Sequence, residues 1–157
     1  MIAVGLMSGT SLDGIDAALV RLEPRGESYA FELMRFLTVP FEQSLLDEIR
    51  AALPPDVATA QQLALLDREL GMAFARAARA VAGAMRVDFV ASHGQTMWHD
   101  GSRHLTMQLA DPFIIRESLC ATVCYDFRRA DCAAGGHGAP LVRAASELGD
   151  EPQKSLF

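Results

Sequence analysis

Apolar residues come first in short runs and later at helical spacing, and the change falls at Pro40. Ile2–Met7, Asp16–Glu23 and Tyr29–Thr38 read as three strands, with Pro24-Arg25-Gly26-Glu27-Ser28 turning the second into the third. Connections this short permit antiparallel pairing but not a parallel crossover. Beyond Pro40, Leu45, Leu46, Ile49 and Leu53 share one face of a short helix that Pro54-Pro55 ends. Leu63, Leu66, Leu70, Phe74, Ala77 and Val81 then recur at helical spacing in a longer helix from about Ala58 to Met85. Gly71 inside that helix weakens it by about 1 kcal/mol relative to Ala.

The second half alternates. Val87–Ala91 is a strand ending at Ser92-His93-Gly94-Gln95-Thr96, and a short strand covers His104 to Leu109. Pro112 starts a short helix through Leu119, and Ala121–Tyr125 is a further strand ending at Asp126. Three antiparallel strands followed by alternating elements describe an α/β fold, a mixed sheet with helices on its faces. Polar clusters sit at successive strand ends, at Ser8–Asp16, Ser92–Thr96 and Asp126–Asp131. Open α/β sheets place their ligands at such ends.

The first cluster has the most specific order of residues. An apolar strand runs into glycines, hydroxyls and two carboxylates, and a second apolar stretch follows at once. Two glycines let the backbone approach a ligand closely and aim N–H groups and hydroxyls at one point, which suits phosphate. Asp13 and Asp16 add oxygens that a hard divalent cation or its waters would accept. A hairpin of ordinary turn residues is the plainer alternative. In the second cluster His93, Gln95 and Thr96 present donors and acceptors suited to a sugar or amide, or else form a strand-end turn with a capping His. In the third, Asp126 and Asp131 flank Arg128 and Arg129, a set able to hold a polyhydroxyl or anionic substrate. A salt-bridged surface turn would look the same. His99 and His104 do not share a helical face, so a metal site there is discounted.

Composition narrows the classes. With 157 residues, half of them hydrophobic, the chain is long enough for one domain with a sizeable core. A net charge of −6 argues against a nucleic-acid partner held by a basic surface, though not against a nucleotide. Charged residues interrupt every long apolar run, so no membrane span is expected. No basic region precedes the first apolar stretch, so a cytoplasmic location is expected. Cys120, Cys124 and Cys132 are odd in number and match no zinc spacing, which makes them small core residues by expectation. The sequence carries neither a G-x-x-x-x-G-K-[ST] loop nor a G-x-G-x-x-G fingerprint, and its single lysine is Lys154. Phosphate would have to be met by Arg, backbone amides or a metal.

Taken in order, GLMSGTSLDGID (residues 5–16), ASHGQT (91–96), MQLADP (107–112) and YDFRRADCAAGGHGAPL (125–141) resemble the N-terminal half of the anhydro-N-acetylmuramic acid kinases. The resemblance covers nearly everything from Met1 to Val142. It implies a ribonuclease-H-like lobe of the actin/hexokinase/Hsp70-type fold, in which ATP and substrate lie between two such lobes. It further implies ATP- and water-dependent opening of the 1,6-anhydro ring and phosphorylation at O6, giving N-acetylmuramic acid 6-phosphate during recycling of bacterial cell wall. By the same resemblance, Gly9, Thr10, Ser11, Leu12, Asp13, Gly14, Ile15 and Asp16 form the first phosphate-binding loop for ATP. Mg²⁺ would sit near Asp13 and Asp16, directly or through water. His93, Gln95, Thr96, Asp126, Arg128, Arg129 and Asp131 would face the anhydro amino sugar. His137 stands where the resemblance implies Gln, and family members are often homodimeric.

The resemblance changes after Val142. Residues 1–142 are expected to form the kinase lobe, and Arg143–Phe157 a tail unlike the family, produced by truncation or a frameshift. The GFDxGPGN-type motif that carries the family's catalytic Asp does not occur in the sequence. No residue is therefore assigned as the catalytic base, and the chain alone is expected to be inactive. A non-catalytic remnant, or a one-lobe module that binds sugar or phosphate, is the alternative.

Overall fold

The computed structural model describes residues 1–26 and 28–139. The expected boundary after Val142 and the tail 143–157 lie outside the described residues. Six strands form one mixed sheet. In chain order the elements are β1 (Ile2–Ser8), β2 (Ile15–Arg25), β3 (Ser28–Val39), α1 (Gln43–Ala51), α2 (Ala60–Ala82), β4 (Phe89–Asp100), β5 (Leu105–Leu109), α3 (Pro112–Leu119), β6 (Thr122–Cys124) and α4 (Phe127–Ala133). The sheet runs β3-β2-β1-β4-β5, and β6 pairs with β4. The first three strands are antiparallel, whereas β1, β4 and β6 are parallel to one another. This is the ribonuclease-H-like arrangement expected from the sequence.

Alternation along the strands fixes which face is covered. Val4 and Leu6 of β1, Ile15, Ala17 and Leu19 of β2, and Val90 of β4 are buried in one core with α2. Helix α2 presents Leu66, Leu70, Phe74, Ala77 and Val81, and burying Phe74 alone stabilises by roughly 1.5–3 kcal/mol. Its start is set by a capping box at Thr59, whose side chain accepts from the amide of Gln62 while the Gln62 side chain accepts from the amide of Thr59. Gly83, at φ 60°, follows its last turn. The helix is thus shorter at each end than its apolar repeat suggests.

On β3 the exposed positions include Tyr29, Phe31, Leu33 and Phe36. Through the register, Phe36, Leu33, Phe31 and Tyr29 lie opposite Ala18, Val20, Leu22 and Pro24 of β2. These pairs alternate with the β2 residues that face α2, so they lie on the opposite side of the sheet.

Two expectations and one alternative reading are corrected. Ser92–Thr96 does not end its strand, because β4 continues to Asp100 with β5 supplying ladder partners from Gln95 onward. Asp126–Asp131 is not a turn, since all but its first residue lies in α4. Of the cysteines, only Cys132 is buried, while Cys120 and Cys124 are exposed. Cys120 follows α3 in a left-handed conformation, and Cys124 pairs with Ala91 on the last turn of ladder before β6 ends.

Gly71 has a packing reason. A Cβ there would stand 3.0 Å from the amide nitrogen, carbonyl oxygen and Cβ of Asp111. The segment between β5 and α3 is fastened against the helix here, with the Asp111 amide donating to the Asp67 carbonyl (3.0 Å) and the Ala110 amide to Asp67 Oδ1 (2.8 Å). Gly71→Ala is therefore expected to lose the propensity gain of about 1 kcal/mol and destabilise by roughly 1–3 kcal/mol overall. Urea unfolding of the two proteins measures the sign.

Candidate functional site

β1, β4 and β6 run parallel, so the segments that follow β1 and β6 and the irregular stretch within β4 come to one end of the ladders that join these strands. The β1–β2 turn begins at Ser8, which is buried and donates its hydroxyl to the Gly14 carbonyl (2.9 Å) across the turn. Leu12 takes a left-handed backbone, φ 58°, and its side chain packs on the core while Ile15 is fully buried. Gly14 is required by close approach, for a Cβ would lie 2.6 Å from the Val39 carbonyl oxygen. Anchored in this way, the turn leaves Gly9, Thr10, Ser11, Asp13 and Asp16 lining a cleft of about 400 Å³. No turn or side-chain hydrogen bond among the described residues takes the amide of Thr10 or Ser11 as donor. Free amides at a glycine-hydroxyl turn are the group set that holds a phosphate oxygen.

The opposite wall comes from β4 and α4. Leu6 pairs with Ser92 but Ser8 pairs with Gln95, so β4 carries one residue more than β1 across that interval. The bulge centres on His93 and Gly94. Gly94 has φ 73°, and a Cβ would stand 2.8 Å from the Leu109 carbonyl oxygen. Bulges re-aim side chains, and here His93 and Thr96 line the cleft with Met7, Ser8 and Arg128. The His93 ring is engaged at both nitrogens: Nδ1 lies 2.9 Å from the Gly94 carbonyl, and Nε2 accepts from Arg128 Nε (2.7 Å). Since a guanidinium only donates, Nε2 is unprotonated and the ring is the neutral Nδ1–H tautomer. Burial holds its pKa below the ordinary 6.5; the bond to the Gly94 carbonyl opposes this shift and the Arg128 charge adds to it.

Arg128 also donates from Nη1 to the Gly138 carbonyl (2.8 Å), while Asp131 Oδ2 accepts from the Gly138 amide (2.8 Å). The two residues, one turn apart on α4, clamp the glycine segment between them. Asp131 thus faces Gly138, and Arg129 pairs on the surface with Asp126 (2.9 Å). Gln95 is fully buried beneath the cleft, where its Nε2 donates to the Thr96 carbonyl (3.1 Å) and Oε1 has no protein partner. Of the residues singled out from sequence, Gly9, Thr10, Ser11, Asp13, Asp16, His93, Thr96 and Arg128 meet in the cleft. Leu12, Gly14, Ile15, Gln95, Asp126, Arg129 and Asp131 are not among the residues that line it. Met7 and Ser8 also line the cleft and were not among the expected ligand-facing residues; the hydroxyl of Ser8 at the end of an apolar run was the available signal.

Asp13 and Asp16 each keep one carboxylate oxygen that a cation would accept. Asp13 Oδ1 accepts from the Ser11 hydroxyl (3.0 Å) and Asp16 Oδ1 from the Thr38 hydroxyl (2.6 Å), which leaves each Oδ2 without a protein partner among the described residues. No group of three or more His, Cys, Asp or Glu suited to a metal occurs among the described residues. That sparse set fits Mg²⁺, which keeps several waters and binds through one or two carboxylates plus phosphate oxygens.

A family model described as anhydro-N-acetylmuramic acid kinase matches residues 1–154. The chain belongs to the anhydro-N-acetylmuramic acid kinase family. Curated relatives include proteins named anhydro-N-acetylmuramic acid kinase from Bacillus thuringiensis subsp. konkukian (strain 97-27), Bacillus cereus (strain AH820) and Bacillus anthracis. Each is 43% identical over 152 residues, covering 90% of this chain and 40% of the relative. The chain therefore spans about 40% of the length of the relatives it matches. No helix among the described residues is long and apolar enough to cross a membrane.

Two outcomes follow from the geometry. Gly14→Ala sets a methyl against the Val39 carbonyl and is expected to destabilise by roughly 1–3 kcal/mol, read from denaturant midpoints. His93, with its pKa lowered in the fold, contributes stability that is present above its unfolded value near 6.5 and is lost as pH falls from there toward the folded pKa. His93→Gln should flatten that part of the pH dependence of unfolding, measured between pH 7.5 and 5.5, values chosen roughly to bracket the ordinary histidine range.

Proposed function

We propose that this chain forms the ATP-phosphate and sugar-facing wall of an anhydro-N-acetylmuramic acid kinase, the cytoplasmic enzyme that opens the 1,6-anhydro ring with water and phosphorylates O6. The observation that carries this reading is the convergence of the β1–β2 turn, the β4 bulge and Arg128 on one cleft, in a chain of that family. The amides and hydroxyls of Gly9, Thr10 and Ser11 receive nucleotide phosphate. Asp13 and Asp16 hold Mg²⁺, which when bound neutralises phosphate charge. Thr96 offers a hydroxyl and Arg128 its free N–H groups to the sugar. Gln95 is buried, Asp131 holds the Gly138 amide, and Arg129 pairs with Asp126 at the surface.

Phosphoryl transfer depends mainly on positioning and charge stabilisation, and these residues supply both for one side of the reaction. The base that activates water is assigned to no residue of this chain, so binding rather than turnover is the property to test. In amide NMR titrations of the 157-residue chain, Mg·ATP should shift Gly9, Thr10 and Ser11, and the anhydro sugar should shift residues around Thr96 and Arg128. Asp13→Asn should weaken Mg·ATP by about tenfold, the scale of one charge-assisted contact, with the sugar unaffected. Shifts confined to other surfaces, or ATP binding indifferent to Asp13, would count against the proposal.

A further inference from the structure

We propose that His93 is a positioning residue rather than a ligand contact, a neutral ring whose Nε2 holds the Arg128 guanidinium in the cleft. The inference rests on the kinase reading only for what Arg128 then binds. Its structural part stands on the described contacts alone. The His93 side chain has two nitrogens, and both are spent inside the protein: one faces the Gly94 carbonyl at 2.9 Å, the other accepts from Arg128 Nε at 2.7 Å. With 7% of its surface exposed, the ring has no polar atom left for a sugar hydroxyl or a phosphate.

Arg128, by contrast, keeps N–H groups on Nη1 and Nη2 after its bonds to His93 and to the Gly138 carbonyl. Those two bonds fix the guanidinium from different directions, one through β4 and one through the glycine segment. What remains is a forked donor aimed at the cleft that carries Asp13 and Asp16 on its far wall. An oxyanion suits it, either a carboxylate of the sugar or a phosphate of the nucleotide.

The chain of dependence begins in the backbone. Gly94, at φ 73°, turns its carbonyl onto the His93 ring, and that carbonyl requires a proton on Nδ1. A proton on Nδ1 leaves Nε2 as the acceptor that Arg128 needs. Protonating the ring would remove the acceptor and place two cations in contact. The lowered proton affinity of His93 agrees with this order of events.

The test begins without any ligand. Long-range ¹⁵N–¹H spectra of the histidine rings should give His93 as Nδ1-protonated with bare Nε2. In His93→Leu, exchange of the Arg128 Nε proton should accelerate by about tenfold or more, the loss of one charge-assisted bond, and His93→Gln should restore protection through its side-chain oxygen. Binding of 1,6-anhydro-N-acetylmuramic acid and, separately, of inorganic phosphate should weaken in His93→Leu and recover in His93→Gln, the two probes telling a sugar carboxylate from a phosphate. Adding His93→Leu to Arg128→Leu should weaken binding no further.

A protonated Nε2, unchanged Arg128 exchange in His93→Leu, or an added loss in the double variant would overturn the positioning role. If neither probe binds the unmodified chain, the kinase reading fails, while the tautomer and exchange results still decide the role of His93.

Discussion

The parallel pairing of β1 with β4 is the constraint from which the remaining architecture follows. A parallel pair cannot be closed by a turn, so the chain must leave the sheet after β3 and return beside β1. The segment that makes this journey contains α1 and α2, and α2 buries Leu66, Leu70, Phe74 and Val81 over the strands it connects. Because the two strands point the same way, the turn after Ser8 and the bulge at His93 come to the same end of the sheet. Residues more than eighty positions apart in the chain thereby face each other across a cleft. The third parallel strand, β6, adds α4 and Arg128 at that end.

The chemistry of the cleft is divided between its walls. The β1–β2 side offers main-chain amides, hydroxyls and two carboxylates, each carboxylate with one oxygen already occupied by a neighbouring hydroxyl. The facing side offers one guanidinium, held by a neutral imidazole. A protein with a net charge of −6 attracts anions poorly at long range, so recognition of a phosphate or carboxylate must come from local donors. Among the residues that line the cleft, such donors are the Arg128 guanidinium and the main-chain amides and hydroxyls of the turn.

Much of this was legible in the sequence, for identifiable reasons. Strand alternation and the 3.6-residue repeat of Leu66, Leu70, Phe74, Ala77 and Val81 marked the sheet and its covering helix, since burial of one face imposes those periods. The turn motif was legible because glycine, hydroxyl and carboxylate residues stood in a fixed order between two apolar runs. Other features depended on contacts that no local pattern encodes. Ser92–Thr96 reads as a strand end, yet β5 pairs with it from Gln95 onward and the strand continues past its bulge against β1. Phe127–Ala133 is only seven residues long, too short to show a period, and Arg128 and Asp131 on it reach Gly138. Exposure of Cys120 and Cys124 depends on which surfaces other elements cover. Gln95 was grouped with His93 and Thr96 by adjacency, but the irregular strand sends it into the interior.

Three glycines shape the space around the cleft and its support, and the nearest neighbours of each include main-chain atoms. Gly14 stands against the carbonyl of Val39, Gly94 against that of Leu109, and Gly71 against the backbone of Asp111. A steric conflict with a side chain can be relieved by trimming that side chain through a second substitution. A conflict with a carbonyl oxygen has no such remedy, because every amino acid brings the same oxygen. Loss of any of these glycines therefore cannot be relieved by changing the side chain of Val39, Leu109 or Asp111 alone.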